Sequence, residues 1–140
     1  MGAVANQRPD LFGAVVSGVG VYDMLRVETT PNGAFNVTEF GSVKDPEQFK
    51  ALHAYSPLHQ VQGGAKMPAM LLTTGLHDGR VAPWMSFKMA ARLQAASGSG
   101  RPVLLRVAAD AGHGQGTRLA SSLDLQADEL AFFFSQLGMR

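Results

Sequence analysis

The chain has 140 residues, of which 46% are hydrophobic, and its 12 basic and 11 acidic side chains give a formal net charge of +1. This length is typical of one domain. A charge so close to zero excludes a strongly basic nucleic-acid-binding protein. Since the chain has no cysteine, a disulfide scaffold, a thiolate zinc site and a cysteine nucleophile are excluded. The sequence has no apolar run of membrane-spanning length and no signal-peptide pattern, so we expect a cytoplasmic protein.

The predicted elements alternate between helices and short apolar strands. Asp45 and Pro46 predict a helix start, because Asp is a good N-cap and Pro fits the first turn. Continuous apolar runs that end in small residues predict strands buried on both faces. In chain order we predict a helix over 1–7, a strand over 11–16, a helical turn over 22–26, an irregular excursion over 29–41, a helix over 45–55, a strand over 67–74, a helix over 83–96, a strand over 102–107 and a helix from 117 or 121 to 137. This alternation is typical of a parallel α/β sheet.

Two loops that follow predicted strands carry reactive side chains. Asp78 follows the second strand, and His113, between Gly112 and Gly114, follows the third. Chemistry in parallel sheets gathers beyond the carboxyl ends of the strands. An α/β-hydrolase completes its Ser-Asp-His triad with an acid and then a histidine in such loops. By spacing alone, a structural role for either residue stays open.

Longer sequence blocks carry a resemblance to a known family. The chain contains, in order, MGAVANQRPDLFGAVVSGVGVYDML, GAFNVTEFG, AYSPLHQV, LLTTGLHDGRVAPWMSFKMAARLQ and AGHGQG. These blocks resemble the prolyl oligopeptidase family of serine peptidases over nearly the whole chain. The resemblance implies an α/β fold, namely a partial α/β-hydrolase fold with about three parallel strands and flanking helices. Residues 1–140 would then form a single truncated domain, the C-terminal part of the catalytic domain.

The resemblance also implies roles for individual residues. Asp78 falls on the triad acid, His113 on the triad base, and Arg80 on an arginine that contacts substrate. Asn36, beside Phe35, falls where many members carry a tryptophan that holds the proline ring of the substrate. Phe35 and Asn36 are therefore candidate substrate-binding residues, and strict proline specificity is in question.

The resemblance implies that a nucleophile is missing. In the family, the serine lies on a Gly-rich turn just before the segment that begins here at Gly2, so the nucleophile elbow and the β-propeller are both expected to be absent. Ser17, at the end of the first predicted strand, is a possible substitute, although it lacks the strand-turn-helix context of G-x-S-x-G. A metal site of His77, Asp78 and His113 is disfavoured, because adjacent residues such as the first two usually point apart.

The composition also bears on assembly. Charged residues make up 16% of the chain, below the roughly 25% of an average soluble domain, so we expect a partner to cover part of the surface. The first predicted strand would pair, in an α/β-hydrolase, with a strand that this chain lacks. An open apolar edge invites association. We therefore expect a homodimer or higher homo-oligomer, through that edge or through exchange of residues 1–10.

Two functions stay open at this point. The first is a serine hydrolase of prolyl oligopeptidase type, a peptidase or esterase with weak or promiscuous activity on peptides or small esters. In the isolated chain, His113 would act as a general base on water. The alternative is a catalytically inactive, oligomerising remnant of such an enzyme. For neither function do we expect a cofactor, a metal, a nucleic acid or a membrane partner.

Overall fold

The centre of the protein is a parallel sheet of three strands. A computed structural model describes residues 1–114 and 116–139. The strands are β1 (Ala14–Gly18), β2 (Ala69–Gly75) and β3 (Val103–Ala108), and their spatial order is β1-β2-β3. In register, Val16 lies beside Leu71, and Leu71 lies beside Leu104. Because β2 is the central strand, all of its residues are buried.

Five helices surround this sheet within the described residues. They are α1 (Gly2–Gln7), α2 (Gly33–Phe40), α3 (Pro46–Tyr55), α4 (Trp84–Ala96) and α5 (Leu119–Leu137). The predicted start of α3 is confirmed, since Asp45 Oδ1 accepts hydrogen bonds from the backbone N–H groups of Glu47 and Gln48 at 2.8 and 3.0 Å. Strand β1 begins later than predicted, because Pro9–Leu11 forms a short 3-10 turn. None of these helices is long and apolar enough to cross a membrane.

The prediction of an irregular segment over residues 29–41 is wrong, since helix α2 occupies most of that range. Of the residues that suggested a loop, Pro31 and Asn32 lie before the helix, Gly33, Asn36 and Thr38 lie within it, and Gly41 ends it with a φ of 92°. Gly33 is required where α2 begins, because a Cβ there would collide with the backbone of Glu28. A turn forms within the predicted range 22–26, where Arg26 N–H donates to the carbonyl of Asp23 at 3.2 Å, and a 3-10 turn at Val27–Thr29 follows it directly.

The sheet separates two unequal apolar layers. On one face, Val15, Met70 and Leu72 join the main core with buried residues of α1, α3 and α4. On the other face, Ala69 and Leu71 pack against Phe132 of α5. Phe132 is buried and Phe133 is partly buried, whereas Phe134 is exposed, because helical periodicity turns it to the opposite side of α5.

A buried carboxylate ties the loop after β1 to α4. The side chain of Asp23 has no exposed surface, and its Oδ2 accepts hydrogen bonds from Lys88 Nζ at 2.6 Å and Arg26 Nη1 at 3.2 Å. Burial opposes ionisation of Asp23, but pairing with the two cations outweighs burial and holds its pKa below the ordinary value. Asp23 therefore stays charged and fixes the loop that leads from β1 towards α2.

Replacing this carboxylate tests its contribution to stability. We expect Asp23→Asn to lower the free energy of unfolding by about 2 kcal/mol, less than for a fully buried pair, because both cations are partly exposed. Since the pKa of Asp23 is lowered by folding, its contribution is present above about pH 4 and lost as the pH falls further. Urea unfolding at pH 7 and at pH 3 measures both effects. The matched control is Asp10→Asn, which breaks an exposed pair with Arg8. An equal loss in both variants would contradict this role.

Candidate active site

Backbone hydrogen bonds hold the loop after β2 against the loop after β3. Leu76 N–H donates to the carbonyl of Ala108 at 2.9 Å, and His77 N–H donates to that of Ala111 at 3.0 Å. Gly75, the last residue of β2, lies so close to the backbone of Ala111 and Gly112 that a Cβ there would collide with it. The two loops that carry the reactive side chains are therefore held in fixed positions relative to each other.

Asp78 is buried and fully oriented at the end of the first loop. Its Oδ1 accepts two hydrogen bonds, from the backbone N–H groups of Arg80 at 2.8 Å and Val81 at 2.9 Å. Its Oδ2 lies 2.8 Å from Nδ1 of His113. The carboxylate side chain has no exposed surface, whereas the imidazole keeps about a quarter of its surface exposed. The turn therefore aims one carboxylate oxygen at the histidine.

This contact determines what the imidazole of His113 can do. A carboxylate accepts a hydrogen bond, so Nδ1 carries the proton and Nε2 is left with its lone pair. A histidine held in this tautomer acts as a general base through Nε2, and the carboxylate stabilises the imidazolium that forms. The arrangement is suited to removing a proton from a hydroxyl group or a water molecule.

A cavity of about 360 Å³ adjoins His113 at the carboxyl ends of the strands, between the sheet and α5. Gly18, Val19 and Thr117 are among the residues that line it, and the buried Oγ1 of Thr117 has no hydrogen-bond partner among the described residues. Val19 has a φ of 43°, which is strained for a β-branched side chain. Such strain is often concentrated at functional sites. The sequence analysis did not identify Val19, because no residue pattern predicts a positive φ at this position.

The candidate substrate-binding residues lie at one side of the acid loop. Arg80 is in the same turn as Asp78 and is exposed. The side-chain amide of Asn32 donates to the carbonyls of Gly79 and Arg80 at 3.4 Å, which places the start of α2 beside that turn. On α2, the ring of Phe35 is 80% exposed, whereas Asn36 is partly buried. The bridging residue Asn32 was not singled out from the sequence.

Ser17 is not brought together with His113. Its buried hydroxyl accepts a hydrogen bond of 2.7 Å from the hydroxyl of Tyr22. Alternation along β1 places Ser17 on the same face as Val15, in the main core, whereas the cavity beside His113 lies on the α5 face. In the described part of the chain, no cluster of three potential metal ligands is present, and the Asp78 oxygens bond to His113 and to backbone N–H groups.

Comparison with known proteins shows which family shares this sequence. The model of the prolyl oligopeptidase family matches residues 1–140. The chain belongs to the prolyl oligopeptidase family. Prolyl endopeptidase from Dictyostelium discoideum is 41% identical over 143 residues, covering 100% of this chain and 19% of that protein. The chain thus spans about a fifth of the length of this relative.

Solved structures of the prolyl oligopeptidase family share the fold. One of two prolyl endopeptidases studied for inter-domain dynamics in catalysis is 39% identical, with a TM-score of 0.95 over 99% of this chain and 20% of that one. Prolyl oligopeptidase B from Galerina marginata, bound to a 35mer hydrolysis and macrocyclization substrate, is 30% identical with a TM-score of 0.89 and covers 99% and 20%. The predicted fold class, a partial α/β-hydrolase fold with three parallel strands, is confirmed.

The close packing of Gly75 against the backbone of residues 111–112 can be tested by adding a side chain at Gly75. We expect Gly75→Ala to push the backbone of residues 111–112 away and to lower the free energy of unfolding by about 1–3 kcal/mol, as overpacking does. Chemical denaturation measures the loss, and amide shifts in an NMR correlation spectrum report movement of the loop that carries His113. Gly79→Ala is the matched control, since a Cβ there meets nothing within 4 Å. Unchanged shifts at residues 111–113 in Gly75→Ala would contradict the close approach.

Proposed function

We propose that this chain supplies the acid and the base of a serine peptidase site of prolyl oligopeptidase type. The observation that carries the proposal is the 2.8 Å contact between the buried carboxylate of Asp78 and Nδ1 of His113. In the proposed reaction, Nε2 of His113 takes the proton of a serine hydroxyl as its oxygen attacks the scissile carbonyl carbon. The proton then passes to the leaving amine, and Asp78 stabilises the intervening imidazolium.

The nucleophile, in this proposal, comes from outside these 140 residues. Structures of the Galerina enzyme have been described with alanine in place of a histidine, a serine or an aspartate. In that protein, the interval between the replaced serine and the replaced aspartate is longer than the stretch of this chain that comes before Asp78. The aspartate and histidine are separated by nearly the same interval as Asp78 and His113. This order supports a nucleophile elbow that lies outside residues 1–140.

The proposed substrates are peptides and small esters. Arg80 is exposed beside the acid loop, where its guanidinium can bind a substrate carbonyl or carboxylate. Phe35, on the neighbouring α2, offers an exposed aromatic ring to an apolar side chain of the substrate, and Asn36 lies next to it. The Galerina relative is described with a 35mer peptide substrate, which is consistent with this substrate class.

Without a serine, the isolated chain would hydrolyse activated esters slowly, with His113 as a general base on water. We expect His113→Ala to lower turnover of p-nitrophenyl acetate by about 100-fold, the lower end for general-base catalysis, and Asp78→Asn to lower it by about 10-fold or more, because the ring loses its orientation. Initial rates with purified variants measure both effects. His77→Ala, which removes the exposed neighbouring imidazole, is the matched control and retains the rate.

A second candidate function is the inactive, oligomerising remnant. Two observations favour it: Ser17 is bonded to Tyr22 rather than to the base, and β1 has no neighbour on its outer side among the described strands. Helix α1 packs on its own chain, where Asn6 Nδ2 donates to the carbonyl of Pro57 at 2.7 Å. Exchange of residues 1–10 between two copies stays a prediction. Absence of ester turnover by the isolated chain would favour the remnant and contradict general-base catalysis by His113 on water, whereas a serine labelled by a fluorophosphonate would contradict a nucleophile from outside the chain.

A further inference from the structure

The loop after β1 forms part of the wall of the cavity beside His113. Gly18 and Val19, two consecutive residues, both line that cavity. In an extended strand, consecutive side chains point to opposite faces of the sheet. Ser17 lies on the side of the main core, so continued alternation would return residue 19 to that side. The positive φ of Val19, 43°, breaks the alternation and keeps both residues at the cavity.

A strained conformation such as that of Val19 persists only where its surroundings fix the chain on both sides. On the sheet side, Val19 N–H donates to the carbonyl of Thr73 at 2.8 Å, one residue beyond the last paired residue of β1. On the other side, the chain turns at Gly20 and reaches Tyr22, whose side chain is buried. The contacts of Tyr22 therefore decide whether the strained turn is held.

The side chain of Tyr22 reaches back across this loop to the end of β1. Its hydroxyl donates to Ser17 Oγ at 2.7 Å and lies 3.2 Å from the carbonyl oxygen of Ser17. The ring packs so closely on Gly20 that a Cβ there would collide with it, and the same is true of Gly2 in α1. The tyrosine thus spans the loop from its last residue to its first, and its ring is held between the loop and α1.

The backbone around Tyr22 is anchored as well. The carbonyl of Tyr22 accepts a hydrogen bond from Leu58 N–H at 2.9 Å, and Met24 N–H donates to the buried hydroxyl of Ser56 at 3.1 Å. Both bonds join the loop after β1 to the turn that follows α3. Every group in this arrangement belongs to the 140 residues, so the bracing needs no other chain.

We propose that Tyr22 is a positioning residue of the candidate active site. By bracing residues 17–22, it holds Val19 against the cavity beside His113 and so sets the width of the space that a substrate group occupies next to the base. The hydroxyl is essential to this role, because phenylalanine would keep the ring but leave the buried Oγ of Ser17 without its donor. The inference rests on the proposed function in one respect, namely that the cavity receives substrate. The bracing itself is a property of the fold.

NMR spectra of the full chain test the bracing without a substrate. At a positive φ, the amide and α protons of one residue lie close together, so Val19 should give a strong NOE between them. We expect Tyr22→Phe to weaken this NOE and to shift the amide resonances of residues 17–20, because the loop relaxes towards an ordinary negative φ. Ser17→Ala, which removes one acceptor, should have a smaller effect of the same kind and decides the test if circular dichroism shows Tyr22→Phe to be unfolded. The control is Tyr55→Phe, at the end of α3. An unchanged Val19 NOE in the folded variant would overturn the proposal.

The acyl-chain length of an ester substrate tests the width of the cavity. When Val19 relaxes towards the core, the cavity should widen. We therefore expect Tyr22→Phe to raise the ratio of kcat/KM for p-nitrophenyl butyrate to that for p-nitrophenyl acetate by about tenfold, the effect of one or two methylene groups in an apolar pocket. Tyr55→Phe should leave the ratio unchanged.

The two measurements separate the bracing from the proposed catalysis. A weakened Val19 NOE with an unchanged ester ratio would overturn the assignment of Tyr22 to the site. A wild-type chain without ester turnover would contradict catalysis by His113 on water, and the NOE of Val19 would then decide whether Tyr22 holds the loop.

Discussion

The hydrogen bond between Asp78 and His113 is the constraint on which the site depends. It joins two loops that are separate in sequence and that follow different strands. It is possible because parallel strands bring their carboxyl ends to one edge of the sheet. The backbone N–H groups of Arg80 and Val81 hold the other carboxylate oxygen, so the acid is aimed before any substrate arrives. The partly exposed imidazole is the part of this pair that solvent and ligands can reach.

Groups outside the Asp78–His113 pair maintain this arrangement. Gly75 allows the two loops to approach at backbone distance, and no larger residue fits there. Asp23, paired with Lys88 and Arg26, fixes the loop after β1, and Asn32 further along the chain bonds to the acid loop. Buried charge and backbone contacts thus hold the loops, whereas the apolar core holds the strands and helices beneath them.

Local signals made part of this structure predictable from the sequence. The Asp45 cap and the apolar runs of β2 and β3 act over a few residues, so pattern alone located them. Helix α2 was missed, because turn-forming residues cluster at its start and because its position depends on Gly33 packing against Glu28, a tertiary contact. Chain order and family resemblance brought Asp78 and His113 into one hypothesis, but their distance follows from the strand register, which no local pattern encodes.

The loops that carry Asp78 and His113 were predictable from the sequence, but the residues around them were not. The ends of the predicted strands and the glycines around His113 indicated where the acid and base loops lie. The strained φ of Val19 and the bridging amide of Asn32 have no sequence signature. The inner and outer faces of α5 share one run of phenylalanines, and the position of the sheet decides which of them is buried. Assembly is therefore the property least accessible from the sequence alone.

The most direct test of the central claim is the tautomer of His113. Long-range ¹H–¹⁵N NMR spectra of the ¹⁵N-histidine-labelled chain, recorded well above the ordinary imidazole pKa of about 6.5, distinguish a protonated from an unprotonated ring nitrogen. A single Nδ1–H tautomer, lost in Asp78→Asn, is the predicted result. A proton on Nε2, or a mixture of tautomers unaffected by Asp78→Asn, would show that the carboxylate does not orient the base and would contradict the account.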